Sequence, residues 1–360
     1  MADRLREGSK SSVEEQRDNV GINQHKHFYS DVQIKLVIPN HHGENLVGIL
    51  HDTSSKELVI VCHGIKSVKE RIPMVSLAAA IGKIGISAFR FDFAGNGESE
   101  GSFRYGNYHR EAEDLHAVVQ HFRGIGRIIT MIVGHSKGGN VVLLYAAKYH
   151  DVHRVINISG RFDLKKGSEG RLGKNFLERI ENAGFIDVNS KSGKFQYRVT
   201  KESLMDRLST DVPSACHLIS EDCSELKFLD ESRVRAKLSS ERSMQLFVKP
   251  SLEFSVPLYS VKDWLALKKF ADAVALPCRV LTIHGSMDQI VPVKDALEFD
   301  EVIANHTLRI IDGADHEFTL HQNELVQVAL DFIRNQNQCN DIADALLFHA
   351  RGRSSICPKL

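Results

Sequence analysis

Neither sign of charge is in excess in this chain: 46 Lys and Arg stand against 46 Asp and Glu among 360 residues. Bulk nucleic-acid binding needs clustered positive charge to displace counterions from phosphates, so that class is disfavoured. No apolar run approaches the roughly eighteen residues of a membrane span. Residues 1–29 form a polar tail without the apolar segment of a secretory signal. Cysteine is scarce. Cys62, Cys216, Cys223, Cys278, Cys339 and Cys357 include no C-x-x-C pair, so reduced, buried thiols and a cytoplasmic location are expected. Aromatics make up only 7% and there is one tryptophan, yet 42% hydrophobic residues suffice for a large core and exclude a fully disordered chain.

Histidine is plentiful, with 18 in the chain, which invites a metal reading. The spacing argues against it. His316 and His321 are five positions apart, so on a helix they diverge by about 140° instead of sharing a face. His41-His42 and His25-x-His27 have no partner cluster of known spacing. No metal and no cofactor are expected.

Short β-branched runs alternate with amphipathic stretches. The pattern predicts strands at Val32–Ile38, Leu46–Leu50, Leu58–Cys62, Ile86–Phe91, Ile128–Val133, Val155–Ile158, Arg279–Ile283 and Leu308–Ile311. It predicts helices at Met74–Ile84, Tyr108–Arg123, Lys137–Tyr149 and Glu324–Arg334. That rhythm implies an α/β fold, a mostly parallel central sheet flanked by helices. Length alone suggests two to three domains, but the rhythm breaks only between Ser159 and Cys278, which reads as an insertion. The expected organisation is a core of residues 30–159 and 278–334, a lid or insertion at 160–277, and a C-terminal tail at 335–360.

The strongest chemical signal is Gly134-His135-Ser136-Lys137-Gly138, a G-x-S-x-G between a buried strand and a helix. The turn is sharp, so side chains at Gly134 and Gly138 would clash, and the Ser136 hydroxyl is pushed out above the sheet. The helix beginning at Lys137 aims free N–H groups and a positive dipole end at the same place. Upstream, a strand ends in His63-Gly64-Ile65. The N–H of Ile65 with that of Lys137 would form an oxyanion hole, His63 and Gly64 supporting the loop. Phe91 to Ser99, with Gly95 and Gly97, reads as a mainly structural loop.

A base and its orienter belong after late strands, acid before histidine. Asp288 follows the strand Val280–Ile283, and His316 follows the next strand. Asp295 and Asp300 fall within the following helix, and Asp312 and Asp315 lie too near His316 to approach its ring from behind.

The segments VCHGIKS, FRFDFAGNGESEGSF, IVGHSKGGNVVLLYA, VINISGRFDL, CRVLTIHGSMDQIVPV and IIDGADHEF resemble the α/β-hydrolase superfamily. The resemblance is to its serine aminopeptidase-like branch, which includes cinnamoyl and feruloyl esterases and many plant members. It implies the α/β-hydrolase fold with an inserted lid, Ser136 as nucleophile, Asp288 as acid and His316 as base, and a small-molecule ester substrate. Residues 224–277 depart from the branch, which usually passes almost directly into the strand beginning near Cys278. An enlarged lid and a splice-derived insertion both stay open, the second preferred; it would bear on how Asp288 is positioned, with an inactive splice product as an alternative.

Ester hydrolysis through an acyl-enzyme is the reading adopted. A serine aminopeptidase-like peptidase, a thioesterase or an acyltransferase would use the same triad. A peptidase would need lid carboxylates for a substrate ammonium, for which Glu169, Glu178 and Glu181 are available. Phe162, Phe176, Phe185, Phe195 and Tyr197 either line an acyl pocket or pack the lid's own core. A non-turnover ligand receptor on the same fold is the rival from another class. Pro358-Lys359-Leu360 loosely resembles a peroxisomal address. The sequence carries no signal for oligomeric state.

Overall fold

Side chains on a strand alternate between its two faces, and on the strand Glu57–Cys62 both faces are apolar. Leu58, Ile60 and Cys62 enter one hydrophobic cluster while Val59 and Val61 enter another. A strand buried on both sides needs a layer on each side, and this requirement sets the architecture. The computed structural model describes residues 32–190, 192–219, 243–249, 252–257 and 278–334.

In chain order the core strands are β1 (Val32–Pro39), β2 (Asn45–Asp52), β3 (Glu57–Cys62), β4 (Ser87–Phe91), β5 (Ile128–His135) and β6 (Arg154–Ile158). Two pairs of insertion strands follow: β7 (Phe185–Asn189) with β8 (Phe195–Thr200), and β9 (Ser243–Lys249) with β10 (Leu252–Pro257). The last two core strands are β11 (Arg279–Gly285) and β12 (His306–Ile311). The eight-stranded sheet has the order β1-β2-β4-β3-β5-β6-β11-β12. The β1–β2 and β2–β4 pairs are antiparallel and every later pair is parallel. The sequence boundaries for these strands and for the helices differ by a few residues at most.

Helices α1 (Met74–Lys83) and α9 (Gln322–Arg334) cover one face. Their Leu77, Ile81, Leu325 and Phe332 pack on Val61, Val133 and Ile283. On the other face α2 (Tyr108–Gly124), α3 (Lys137–Tyr149), α7 (Val212–Ile219) and α8 (Lys294–Val302) bury Leu115, Leu143, Cys216 and Phe299. The helices α4 (Glu169–Leu172), α5 (Phe176–Ala183) and α6 (Lys201–Ser209) join the β7–β8 hairpin around a small core of their own, with Tyr105, Leu172, Ile180 and Leu204. Cys62, Cys216 and Cys278 are buried. Apart from the β9–β10 hairpin, residues 224–277 lie outside the described residues, as do the N-terminal tail, the tail after Arg334 and the C-terminal tripeptide. No described helix is long and apolar enough to cross a membrane.

The loop after β4 is built around one buried ion pair. Lys69 Nζ and Asp92 Oδ2 are 2.7 Å apart, with side chains 2% and 0% exposed. Asp92 also accepts from the backbone N–H groups of Lys69 and Glu98, so its lone pairs are satisfied. Glu98 reaches the same ammonium from the solvent side. Removing one partner of such a pair strands a buried charge, at a cost of about 3–5 kcal/mol. We therefore expect Asp92→Ala to lower stability by about that amount in urea unfolding, and Glu98→Gln to cost far less.

Candidate active site

The chain reaches Ser136 through a conformation that side chains rarely adopt, φ 55° and ψ −117°. Two close approaches enforce it. A Cβ at Gly134 would meet Gly138 O at 2.1 Å, and one at Gly138 would meet His63 O at 2.5 Å. Neither neighbour can give, because both are backbone. Ser136 N–H donates to Ile158 O of β6 at 2.7 Å, tying the turn to the sheet. The result is a serine at the summit of β5 and at the start of α3, strained as such turns are.

His316 lies between Ser136 and Asp288. Its Nε2 is 2.9 Å from Ser136 Oγ and its Nδ1 is 2.7 Å from Asp288 Oδ2. A carboxylate only accepts, so Nδ1 carries the proton and Nε2 is free to accept from the hydroxyl. Asp288 Oδ1 accepts from the N–H groups of Ile290 and Val291, both at 2.8 Å. Burial pushes its carboxyl up, but hydrogen bonds from His284 and His316 outweigh burial and hold it well below the usual carboxylate range. His284 donates its Nε2–H to Val291 O at 2.9 Å and stands 3.4 Å from Asp288 Oδ2. It thus braces the acid's loop from inside the sheet, a role the sequence reading did not assign.

The other sequence-named acids are occupied elsewhere. Asp295 accepts from Phe162 N–H, Asp300 pairs with His306, Asp312 accepts from Ser286 Oγ, and Asp315 accepts from Thr319.

Two further histidines fix the backbone around the serine. His63 accepts from Phe93 N–H at Nε2, so its proton sits on Nδ1 and is donated to Gly64 O at 2.8 Å. Gly64 lies against Ser136, its position for a Cβ 3.0 Å from Ser136 Cβ. His135 donates Nε2–H to His316 O at 2.8 Å. Among the described residues no acceptor takes the N–H of Ile65 or of Lys137, and both residues line the cavity beside Ser136.

His135, His316 and Glu317 bring ligand atoms within 4.8 Å of one another. His316 already uses both ring nitrogens and His135 donates its Nε2–H, so this trio offers too few free lone pairs for a metal.

The cavity has a volume of about 320 Å³, at the small end for ligand sites. Tyr105, Tyr108, Asn140, Arg161 and Arg207 are among its walls. None of the five lid aromatics considered from sequence lines it. Phe162 packs edge-on against Phe299, Phe176 and Tyr197 belong to the lid's own core, and Phe185 and Phe195 are exposed. Lys137, expected to contribute only its N–H, also contributes a side chain. Its ammonium is buried, 2.6 Å from Glu111 Oε1 and 4.9 Å from the centre of the Tyr108 ring. The signal was available: Glu111 sits on the apolar face of α2, between Tyr108 and Leu115.

The family described as serine aminopeptidase, S33 matches residues 53–323. Among solved structures, Est1E from Butyrivibrio proteoclasticus with ferulic acid bound is 19% identical with a TM-score of 0.61, covering 84% of this chain and 99% of that one. GrgF, an α/β hydrolase from Penicillium sp. sh18, is 17% identical with a TM-score of 0.59, covering 84% and 98%. Mouse α/β-hydrolase domain-containing protein 10 is 17% identical with a TM-score of 0.56, covering 84% and 99%. No curated protein matches the chain by sequence.

The buried ionisable groups beside the serine set a pH dependence. Burial lowers His63 to about 4. Burial and the neighbouring His316 lower His135 to about 3. Both are neutral in the fold but protonated in the unfolded chain below about pH 6.5. The unfolded state then binds more protons, so stability falls as pH drops through 6.5. Glu111, pushed up to about 7 by burial, acts in the opposite sense: its contribution is full below about 4.5 and is lost as pH rises through 7. We expect the urea midpoint to fall between pH 6.5 and 5. His135→Gln should flatten that fall by up to about one proton, ~1.4 kcal/mol per pH unit.

The sheet order, the strained turn after β5 and the family match agree: this chain belongs to the serine aminopeptidase S33 family of the α/β-hydrolase superfamily.

Proposed function

We propose that the protein is a serine hydrolase that cleaves carboxylic esters of small acyl or aromatic acids, with Ser136 as nucleophile, His316 as base and Asp288 as its orienter. The observation that carries this reading is the continuous hydrogen-bonded line from Ser136 Oγ through His316 to Asp288. Nε2 takes the hydroxyl proton as Oγ bonds to the acyl carbon. The tetrahedral oxyanion is held by the N–H groups of Ile65 and Lys137. Collapse breaks the ester C–O bond, and the proton on Nε2 passes to the leaving alcohol. Water then repeats the sequence on the acyl-enzyme and releases the acid. Asp288 keeps the imidazole in the tautomer that accepts, and stabilises the imidazolium.

The cavity walls support ester over peptide. A substrate ammonium needs a carboxylate facing it, and among the described residues no Asp or Glu lines the cavity. Glu169, Glu178 and Glu181 are exposed, and Glu181 is held by Lys201. An aromatic acid as acyl group is consistent with the ferulic acid bound to Est1E and with Tyr105 and Tyr108 in the walls.

Purified protein should hydrolyse p-nitrophenyl acetate and leave an aminoacyl-nitroanilide intact. Ser136→Ala should reduce ester turnover by about three or more orders of magnitude, and Asp288→Asn by roughly three to four. A fluorophosphonate should label the wild type and not Ser136→Ala. Absence of both turnover and labelling in folded protein overturns the proposal.

A further inference from the structure

Among the described residues, the cavity that opens on Ser136 is lined by four cationic side chains, Lys137, Arg161, Arg171 and Arg207, and by no carboxylate. Their states of pairing differ. Lys137 is matched by Glu111 at 2.6 Å. Arg161 is buried, and its closest carboxylate, Asp295 Oδ2, is 3.9 Å away; its Nη2 donates instead to Ile290 O. Arg171 is exposed at the rim and has no ion-pair partner among the described residues.

Arg207 is the least compensated. It is 6% exposed, yet no described carboxylate stands within ion-pair distance of its guanidinium. Nη1 donates to the Tyr108 hydroxyl, and Nε is buried with no acceptor at all. The guanidinium faces the rings of Tyr105 and Tyr108, with centroids 5.2 Å and 5.7 Å away. Asp206, its neighbour in sequence, is turned to the N–H of Asn107. A buried guanidinium is costly unless an anion meets it. Its planar fork fits a carboxylate with two parallel hydrogen bonds.

We propose that the substrate is an ester whose acyl group bears a free carboxylate, held by Arg207 with Arg161 and drawn in past Arg171. This rests on the ester-hydrolase reading above and names the substrate class for that site. The acyl group remains on Ser136 after the alcohol leaves, so the walled, cationic space serves the part that stays. The small volume limits that acyl group to a few carbons between its two carboxyl functions. Charge selection would also disfavour cationic aminoacyl substrates, which the same arginines repel.

The test compares the mono-p-nitrophenyl ester of glutaric acid with its neutral isostere, in which an acetyl group replaces the free carboxylate. Buffer rates are subtracted. A charge-assisted pair in a desolvated site predicts a kcat/KM preference for the anionic ester on the order of tenfold to a hundredfold. The KM of the anionic ester alone should rise with salt. Arg207→Met should bring the ratio close to one, Arg207→Lys should restore part of it, and Arg171→Met at the exposed rim should lower it less. A melting curve establishes that each variant is folded.

Binding is read separately from turnover by calorimetry on Ser136→Ala. Glutarate should bind on the order of tenfold or more tighter than the monoanionic acid from the isostere. Equal kcat/KM for the two esters, or equal binding of the two acids, overturns the carboxylate proposal and leaves ester hydrolysis standing. Tight glutarate binding without turnover of either ester overturns ester hydrolysis and leaves the anion site standing.

Discussion

Everything at the site depends on one turn of backbone. Ser136 holds φ 55° and ψ −117° because β5 must end, reverse and become α3 within a single residue. Such strain persists only when the surroundings leave no alternative. Here the surroundings are the carbonyls of His63 and Gly138, which crowd the turn from both sides, and the Ile158 carbonyl, which accepts the Ser136 N–H. The same turn gives the hydroxyl its height above the sheet and frees the N–H of Lys137. Those two consequences need the sheet to hold β3, β5 and β6 side by side. The apolar packing on both faces of β3 therefore supports Ser136 and the turn around it through rigid backbone.

A second layer of control lies in histidine tautomers. His63, His135, His284 and His316 each have at least one ring nitrogen committed to a backbone or carboxylate partner. Burial keeps His63 and His135 neutral. Neutral, singly donating rings are directional, so they fix the loops of Gly64 and His316 without adding charge beside Ser136. The high histidine content thus serves geometry more than metal chemistry at this centre.

The sheet was legible because its signal is dense. Runs such as Leu58–Cys62 and Ile128–Val133 are too apolar and too β-branched to be anything but covered strands, and their order with the helices restricts the topology. Ser136, Asp288 and His316 could be named because each follows a strand of the sheet, and in the structure the three stand in hydrogen-bond contact. What stayed hidden was the fate of charged residues on amphipathic helices. Glu111 on α2 and Arg207 on α6 carry the formal look of solvated positions, and only tertiary contacts reveal that both are buried. The lid aromatics misled in the opposite direction. Phe185 and Phe195 are exposed, while Phe176 and Tyr197 are used by a small local core.

The strand pair β6–β11 joins Arg154–Ile158 to Arg279–Ile283 across the whole insertion. Closing so long a loop costs little more than closing a short one, so the intervening chain can lengthen without disturbing the sheet. There is also a temporal consequence. On a ribosome the elbow serine emerges well before the strands that carry Asp288 and His316. A nascent chain therefore holds Ser136 without its hydrogen-bond partners, and the line from Ser136 through His316 to Asp288 closes only when the final strands have docked. For the hydrolase proposed above, the late position of Asp288 and His316 would act as a built-in delay against chemistry by a half-made protein.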